Sequence, residues 1–446
     1  MHQQLAFAHN QYSKDPILSC ALEGVANVIA GIQDVCLIIH SPQGCAATVG
    51  VGFDQHEIDF TKRKIGCTRL FETDIVMGAA RKLEEVMKQA EKSFGAKVMF
   101  VAGTCAADII GEDIEAVCRM LQPEMEAKLI PISAGGFRGN SYDGMNLGLE
   151  ALLPFVKKTP IKMMDTVNII APQANANPTW YADLDWVKQI LAQLDIGVQT
   201  IFSHDTTLAE IENAGRAEAN LLMSHEVGYD FAKKMKEIYD IPLIMENNPM
   251  PIGVHNTKKW LRALGAHFRK EEQIEKIILA EEKKLLDVLR KRGLMMIPRY
   301  RNCKLALSSD STIGIGMIRM LFEELEMIPE AIIFKSCNEK AEQLLERELS
   351  DMNLSPTIVL NADGYQLKET IRQMDVDLVI GSAWEKYMAE ELGIQVSFDV
   401  FEPTNRVTYV NEPYFGFEGM LQILQIFAND WERAFRSKEI KYKECN

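Results

Sequence analysis

Short apolar runs alternate with amphipathic stretches along most of the chain. Val35–His40 and Lys97–Val101 are apolar runs of strand length, and Met77–Ser93 between them carries apolar residues at helical spacing. Strands that alternate with helices in this way form parallel sheets covered by helices on both faces. The pattern therefore predicts the α/β class, with parallel sheets flanked by helices.

This alternation restarts twice, which predicts three α/β domains. They cover residues 1–160, 161–292 and 293–446. The long charged stretch His267–Arg292 carries regularly spaced isoleucines and leucines, so it is predicted to be a half-buried helix connecting the second domain to the third. Met420–Trp431 is predicted to be a C-terminal helix of the third domain.

The composition is that of a globular protein, with 47% hydrophobic and 25% charged residues. The net charge of −15 argues against a nucleic-acid partner, because such partners require clustered positive charge. No apolar run is long enough to cross a membrane, and Met1–Pro16 lacks the apolar core of a secretory signal. These features predict a cytoplasmic protein with no membrane partner.

The nine cysteines require an interpretation of their own. A disulfide framework does not fit a large cytoplasmic protein, because thiols there stay reduced. The choice is between buried thiols that pack like small apolar side chains and thiolates that bind metal. The packing interpretation is preferred for five of them, which lie within predicted elements, beside third-domain strands or in the tail: Cys36, Cys118, Cys303, Cys337 and Cys445.

Three other cysteines stand out by their positions. Cys20 precedes an apolar helical stretch, and Cys45 and Cys105 lie in the turns after two predicted parallel strands. Open α/β sheets place their sites at the carboxyl ends of strands, and thiolate is the ligand of iron–sulfur clusters. The separations are much longer than those of compact CxxC sites, so spacing alone leaves both interpretations open. Three thiolates also leave a four-iron cluster one ligand short, which a partner subunit or an oxygen ligand would have to supply.

The residues around these cysteines resemble the three cysteine motifs of nitrogenase component 1 subunits. The similar stretches are Cys20-Ala-Leu-Glu-Gly-Val, His40-Ser-Pro-Gln-Gly-Cys45 and Thr104-Cys105-Ala-Ala-Asp-Ile-Ile-Gly-Glu-Asp113. Further likeness extends over nearly the whole chain, in Phe53–Glu57, Glu72–Gly78, Leu307–Met317 and Phe415–Gly419.

The resemblance implies three domains of Rossmann-like topology and a homologous α-type partner subunit in an α2β2 complex. It also implies an iron–sulfur cluster between the paired chains, to which this chain contributes Cys20, Cys45 and Cys105. The cluster is an eight-iron P-cluster (8Fe–7S) in nitrogenases and a four-iron cluster (4Fe–4S) in the tetrapyrrole-reducing relatives. A separate ATP-dependent iron protein delivers the electrons, and the chain itself has no P-loop.

Two anchors of the family's catalytic cofactor are missing from this sequence. The α-type subunits hold that cofactor through a cysteine in the second domain and a histidine near the C-terminus. Ser224 stands where the cysteine is expected, and Ser397–Glu418 contains no histidine. His225 is interpreted as a polar residue at a strand end in preference to a substitute ligand. The resemblance therefore points to a β-like subunit that relays electrons to a partner's active site.

The loop Gly135–Gly139 is more reminiscent of α-type chains, although its glycines also allow close approach to a cluster. In β-type nitrogenase chains a serine near this point can ligate the oxidised cluster. Here Gly135 occupies the corresponding position, with Ser133 and Ser141 nearby, which argues against serine ligation. Cys67, in the predicted loop Gly66–Thr68 of the first domain, is the candidate for an additional ligand.

Three functional hypotheses remain open from the sequence. The first is an oxidoreductase subunit that relays electrons, with dinitrogen, a sulfur compound or a tetrapyrrole as the substrate reduced by the complex. The second is an assembly scaffold of the same family, which builds a metal cofactor and hands it on. The third is an interaction subunit without metal, in which all the cysteines are packing residues.

Overall fold

The computed structural model describes residues 7–9, 19–55, 59–172, 177–293, 299–407, 409–410 and 412–439. The chain forms two compact units, each built from separated segments. The first unit comprises Met1–Ile17, Ala174–Asp195 and Met245–Asn446, and the second comprises Leu18–Gln173 and Ile196–Ile244. The domain boundaries suggested by the sequence, after residues 160 and 292, stay predictions.

The strands of the described residues are short and mostly apolar. In chain order they are β1 (Phe7–His9), β2 (Cys36–His40), β3 (Lys64–Cys67), β4 (Val98–Gly103), β5 (Lys128–Ser133), β6 (Met163–Ile170), β7 (Gly197–Phe202), β8 (Ala217–Leu222), β9 (Leu243–Ile244), β10 (Lys304–Ser309), β11 (Ile328–Phe334), β12 (Thr357–Leu360), β13 (Leu378–Ser382) and β14 (Val396–Phe401).

Helices separate most of these strands. In chain order they are α1 (Ala21–Ala30), α2 (Gln43–Gln55), α3 (Glu72–Met77), α4 (Ala80–Phe94), α5 (Cys105–Ile110), α6 (Ile114–Leu121), α7 (Ser141–Leu152), α8 (Trp180–Gln193), α9 (Leu208–Asn213), α10 (Tyr229–Tyr239), α11 (Gly253–Phe268), α12 (Glu271–Val288), α13 (Ser311–Arg319), α14 (Glu339–Asp351), α15 (Gly364–Gln373), α16 (Ala383–Glu391) and α17 (Gly416–Glu439).

Three parallel sheets result, which confirms the predicted fold class. The second unit contains two four-stranded sheets, with the orders β3-β2-β4-β5 and β7-β6-β8-β9. The first unit contains a six-stranded sheet with the order β1-β12-β11-β10-β13-β14. The paired strands within each sheet run parallel.

One hydrophobic core serves both sheets of the second unit. Leu37 and Phe100 from the first sheet and Ile170 and Leu222 from the second belong to the same cluster of buried side chains. Their strands read as nearly continuous apolar runs because helices cover both faces of a parallel sheet. This shared core fixes the strand ends from which the candidate site is built.

Two glycines allow α1 and α7 to cross backbone against backbone. A Cβ atom on Gly24 would lie 1.9 Å from the carbonyl oxygen of Ser141, and one on Gly144 would lie 2.0 Å from the carbonyl oxygen of Ala21. The amide of Ala21 also donates a hydrogen bond to the carbonyl of Gly139, at 3.1 Å. The start of α1, immediately after Cys20, is therefore tied to the loop before α7.

Two predicted helices differ from the observed ones. The stretch Met77–Ser93 is interrupted because Gly78 adopts a φ of 90°, so α3 ends at Met77 and α4 begins at Ala80. The predicted connector His267–Arg292 begins instead at Glu271, since Arg269 has a φ of 57° and ends the preceding helix α11. Periodicity gives no signal for such residues with positive φ.

A buried ion pair lies at the carboxyl ends of the strands in the first unit. The Nζ atom of Lys335, after β11, is 2.8 Å from Oε1 of Glu385, and both side chains are almost fully buried. Ser308 donates to the same carboxylate at 3.2 Å, and the backbone amide of Ser382 does so at 2.7 Å. Burial alone would raise the pKa of Glu385, but Lys335 and these donors lower it below its ordinary value.

The first unit also encloses a carboxylate that has no ion-pair partner among the described residues. Asp183, on α8, is fully buried and accepts hydrogen bonds from the backbone amides of Tyr414 and Phe415 at 2.7 and 2.9 Å. Asn177 and Thr179 donate to its other oxygen. Burial raises the pKa of Asp183 to about 6, although these hydrogen bonds oppose the shift.

This raised pKa predicts a pH-dependent stability. The folded protein must bury an ionised Asp183 above pH 6, whereas the unfolded chain ionises it near its ordinary pKa of 3.8. The contribution of Asp183 to the free energy of unfolding is therefore expected to fall by about 2 kcal/mol between pH 4.5 and 7.5. Urea unfolding of wild type and Asp183→Asn at both pH values measures this, with Asp287→Asn on exposed α12 surface as the control. A stability difference between wild type and variant that does not change with pH would contradict the expectation.

Candidate iron–sulfur site

The three candidate cysteines lie at the beginnings of three helices. Cys20 is the residue before α1, Cys45 lies in the first turn of α2, and Cys105 is the first residue of α5. The sequence places Cys45 and Cys105 in turns, whereas the structure begins the helices directly after β2 and β4. Both cysteines remain at the carboxyl edge of one sheet, where α/β proteins place their sites.

Gly136 shows how close Cys20 and Cys105 are. A Cβ atom built on Gly136 would lie 3.2 Å from Sγ of Cys105 and 3.5 Å from Cβ of Cys20. The backbone amide of Gly136 donates to Sγ of Cys105 at 2.9 Å. The Gly135–Gly139 loop therefore lies against both thiols and gives a hydrogen bond to one of them, an interaction that stabilises a thiolate.

Cys45 belongs to the same group of thiols. Burial raises its pKa, and the neighbouring thiols of Cys20, Cys105 and Cys67 raise it further. All four side chains are partly exposed. The structure thus brings the three predicted cysteines together at one edge of the sheet, with Cys67 as an additional neighbour.

This group of sulfurs fits an iron–sulfur cluster better than a single metal ion. Thiolates crowded together repel one another unless a cationic centre lies between them. Within the described part of the chain, no three His, Cys, Asp or Glu side chains are close enough to hold one metal ion. Cluster ligands stand further apart than the ligands of a single ion, because each thiolate binds a different iron.

Replacing Gly136 with alanine is expected to disturb this site selectively. The added methyl group would press on Sγ of Cys105, at a cost of roughly 1–3 kcal/mol typical of overpacking. We expect lower iron content after anaerobic purification, with an unchanged circular dichroism spectrum. Gly364→Ala is the control, since a Cβ atom there would meet no atom within 4 Å apart from its chain neighbours and its own helix backbone. Equal iron content in both variants would show that Gly136 does not approach the cluster.

The other cysteines of the described residues are not among the thiols that raise the pKa of Cys45. Cys36 and Cys118 are buried in the core, and burial raises their pKa values to about 12 and about 11. Such thiols stay protonated and inert. Cys303 and Cys337 belong to the first unit, and Cys445 lies outside the described residues.

The structure places Cys67 differently from the sequence prediction. It is the last residue of β3, which pairs with β2 so that Cys67 lies opposite Ile39. The sequence predicts a loop at Gly66–Thr68, because Lys64–Cys67 is short and lacks a continuous apolar run. Because β3 pairs with β2, Cys67 lies at the end of a third strand, at the sheet edge that carries Cys45 and Cys105.

The serines near the predicted ligands have different surroundings. Ser133 ends β5 and is exposed, whereas Ser141 is fully buried at the start of α7. A Cβ atom on Gly135 would lie 2.2 Å from the carboxylate of Asp108, so this position has no room for a larger side chain. Ser224 and His225 are fully buried in the second unit, where Ser224 Oγ accepts a hydrogen bond from the amide of Val227 at 3.2 Å.

The structure contains a buried polar network at the carboxyl end of β2 that the sequence does not predict. His40 Nδ1 lies 3.2 Å from the hydroxyl of Thr68, and its Nε2 lies 3.6 Å from a carboxylate oxygen of Glu112. The hydroxyl of Thr104 donates to the carbonyl of His40 at 2.8 Å. Burial lowers the pKa of His40 although Glu112 opposes this. The network joins the ends of β2, β3 and β4, and its only sequence signal is a histidine ending an apolar run.

The segments that follow the strands of this sheet expose large apolar side chains. Monomeric proteins rarely expose such groups together, so they indicate an interaction surface. The exposed residues, with their exposed fractions, are Val51 (60%), Phe71 (56%), Val76 (81%), Met77 (84%), Ile109 (71%) and Phe137 (72%). We call these six residues the apolar rim.

Among the described residues, no helix combines the length and the hydropathy needed to cross a bilayer.

Comparisons with known proteins indicate the same family that the three cysteine motifs resemble. The family model described as nitrogenase component 1 type oxidoreductase matches residues 20–432. The nitrogenase iron-molybdenum cofactor biosynthesis protein NifE of Methanococcus maripaludis is 28% identical, over 84% of this chain and 77% of the relative. The nitrogenase vanadium-iron protein beta chain of Trichormus variabilis is 23% identical, over 93% of both chains. The nitrogenase molybdenum-iron protein alpha chain of Methanothermobacter thermautotrophicus is 26% identical, over 93% of this chain and 88% of the relative.

A solved structure also shares the fold. Nitrogenase Cp1 at pH 6.5 matches with a TM-score of 0.79 at 18% identity, covering 98% of this chain and 96% of that chain. This likeness confirms the nitrogenase component 1 fold that the motifs imply. Since the family model spans nearly the whole chain, the chain belongs to the nitrogenase component 1 type oxidoreductase family.

Proposed function

We propose that this chain is one subunit of a nitrogenase-like oxidoreductase and holds an iron–sulfur cluster through Cys20, Cys45 and Cys105. The observation that supports this most strongly is the meeting of Cys20 and Cys105 at Gly136, with Cys45 as their neighbour. Three partly exposed thiols at one sheet edge suit a cluster that two chains share.

The proposed partner is a homologous α-type subunit, in an α2β2 complex. The apolar rim supports this, because its six exposed side chains belong to the segments that follow β2, β3, β4 and β5, the strands of the sheet whose edge carries the cysteines. A second chain covering the rim would bury these side chains and exclude water from the thiols. The partner's own cysteines would then complete the ligands of a four-iron or eight-iron cluster.

Residues of this chain would tune the site by hydrogen bonding and burial. When bound, the cluster supplies reversible one-electron transfer. The amide of Gly136, which donates to Sγ of Cys105, stabilises negative charge on that sulfur. An ATP-dependent iron protein is the proposed electron donor, since this sequence contains no P-loop of its own.

Substrate reduction is assigned to the partner chain. Ser224 stands at the position expected for the cofactor cysteine, is fully buried, and accepts a hydrogen bond from the amide of Val227. No histidine lies in Ser397–Glu418, where the second cofactor anchor is expected. A chain without either anchor suits electron relay better than it suits the chemistry of the substrate.

The second candidate function is that of a cofactor-assembly scaffold. The specific observation in its favour is the 28% identity to NifE, compared with 23% and 26% to the two nitrogenase chains. These comparisons favour the scaffold role over substrate reduction. The set of three cysteines suits either role, because a cluster between paired chains can relay electrons to a substrate or to a cofactor that is being assembled.

Anaerobic co-purification with the partner tests the cluster. We expect a brown complex with four or eight irons per pair of chains, and a colourless, iron-free complex would contradict both candidate functions. The purified complex is then supplied with its iron protein, ATP and reductant. Turnover of dinitrogen, a sulfur compound or a tetrapyrrole would establish the reductase. Transfer of a metal cofactor to a cofactor-free nitrogenase, without turnover, would establish the scaffold.

A further inference from the structure

We propose that His40 and Glu112 are positioning residues for the cluster, because their contact fixes the spacing between the two helices that carry Cys45 and Cys105. The inference rests on the proposed cluster and deepens it, since it concerns how this chain sets the properties of that cluster. Neither residue is an iron ligand in this proposal. Each adjoins a segment that carries a ligand, and the contact between their side chains joins the two segments.

His40 lies between the two ligand-bearing segments in the sheet. It ends β2, where it pairs with Gly103 at the end of β4. The chain continues from β2 into α2, which carries Cys45 in its first turn, and from β4 into α5, which begins at Cys105. The hydroxyl of Thr104 donates to the carbonyl of His40 at 2.8 Å. The strand ends that lead to the two cysteines are therefore joined at His40.

Glu112 makes a second connection from the opposite end of α5. Its amide donates to the carbonyl of Ala107 in that helix at 3.0 Å, so its backbone continues the end of α5. One oxygen of its carboxylate lies 3.6 Å from Nε2 of His40 and accepts a hydrogen bond from the amide of Ala79 at 3.1 Å. The helix that begins at Cys105 is thus held against β2 at both of its ends.

Burial makes this contact sensitive to substitution. The side chain of His40 is fully buried and that of Glu112 is 6% exposed. Nδ1 of His40 lies 3.2 Å from the hydroxyl of Thr68, so polar neighbours on two sides fix the orientation of the imidazole ring. Apolar side chains of similar volume often pack as stably as a buried polar pair, so stability alone does not account for this one. Placement of the neighbouring ligands does account for it.

The position of the ligands affects what the cluster can do. The reduction potential of an iron–sulfur cluster depends on its surroundings, and side chains that orient metal ligands typically contribute about 10- to 100-fold to metal affinity or activity. Without the contact between His40 and Glu112, the spacing between Cys45 and Cys105 is set by backbone hydrogen bonds alone. The cluster would then bind less tightly and have a different reduction potential.

His40→Gln in the anaerobic complex with the partner subunit tests this proposal. Gln keeps a neutral hydrogen-bonding group but lacks the ring that spans Thr68 and Glu112. We expect the purified variant to contain as much iron as wild type, to have a shifted midpoint potential, and to lose iron to a ferrous chelator at least about 10-fold faster. Glu115→Gln is the control, since it removes an exposed carboxylate of α6 and should leave both values unchanged.

Two substitutions of Glu112 separate its contacts from its charge. Glu112→Gln keeps the length of the side chain and an oxygen that can accept from the amide of Ala79, whereas Glu112→Ala keeps neither. We expect rapid iron loss from Glu112→Ala and a rate close to that of wild type from Glu112→Gln. Equally rapid loss from both would overturn the positioning role, because the charge and not the contacts would then be the cause. This pair carries the test if His40→Gln does not fold.

The outcomes distinguish this inference from the proposed function. A wild-type complex that contains iron, together with wild-type potentials and iron-loss rates in His40→Gln and Glu112→Ala, would overturn the positioning role and leave the proposed function intact. An iron-free wild-type complex would refute the proposed function and the inference with it.

Discussion

Replacing Cys45 with alanine will remove the cluster from the complex. The variant loses one thiolate from a group in which each sulfur is proposed to bind its own iron. Even the loss of groups that only support ligands costs about 10- to 100-fold in metal affinity or activity, so loss of a ligand should cost at least about 100-fold in electron transfer. Iron content, visible absorption and electron paramagnetic resonance of the anaerobic complex measure the result.

Cys118→Ala is the control for this experiment. Cys118 carries the same thiol as Cys45, but it is buried on α6, where burial raises its pKa to about 11, so we expect it to bind no metal. We expect this variant to keep its full iron content while losing some stability from the small cavity that remains. If the two variants lose iron equally, the division between ligand and packing cysteines is wrong.

Replacing Lys335 with methionine will destabilise the first unit by about 3–5 kcal/mol. The change leaves the Glu385 carboxylate buried, with its hydrogen bonds from Ser308 and Ser382 but without its cation. An uncompensated buried charge is far more costly than a lost surface ion pair. The midpoint of urea unfolding, followed by circular dichroism, measures the loss.

Two further variants make this test specific. Lys276→Met removes an exposed pair with Glu272 on α12, and we expect it to leave the midpoint unchanged. The double variant Lys335→Met with Glu385→Leu removes both buried charges, so it should recover much of the stability that the single change loses. If the double variant is no more stable than Lys335→Met, loss of packing and not the unpaired charge is the cause.

The sequence predicts the sheets because parallel strands buried on both faces must be apolar. It misses β3 because Lys64–Cys67 contains only one large apolar residue, and its strand conformation depends on pairing with β2. It misses β14 because Val396–Phe401 includes Ser397 and Asp399, which interrupt the apolar run. The spacing of apolar residues indicates which face of a segment is buried. It does not predict strands such as β3, whose conformation depends mainly on pairing with a neighbouring strand.

The candidate site was predictable in part for a similar reason. Cys45 and Cys105 follow strands, so topology alone places them at one edge of the sheet. Cys20 follows no predicted strand of that sheet, and its place depends on the crossing of α1 and α7. The contact between His40 and Glu112 joins residues from separate loops, and no local pattern indicates it. Its position before an apolar helical stretch singled out Cys20 and the motif resemblance supported that choice, whereas the polar network is seen only in the folded structure.

The close crossing of α1 and α7 has a consequence for protein engineering. Neither Gly24 nor Gly144 can accept a side chain without driving the two helix backbones apart, and Ala21 is fastened to Gly139. A designer who transplants the motif around Cys20 to another scaffold must therefore transplant α7 with it. The smallest unit that can be transplanted is the pair of helices α1 and α7, although they are far apart in sequence. A short peptide around Cys20 would contain nothing that fixes the direction of its thiol.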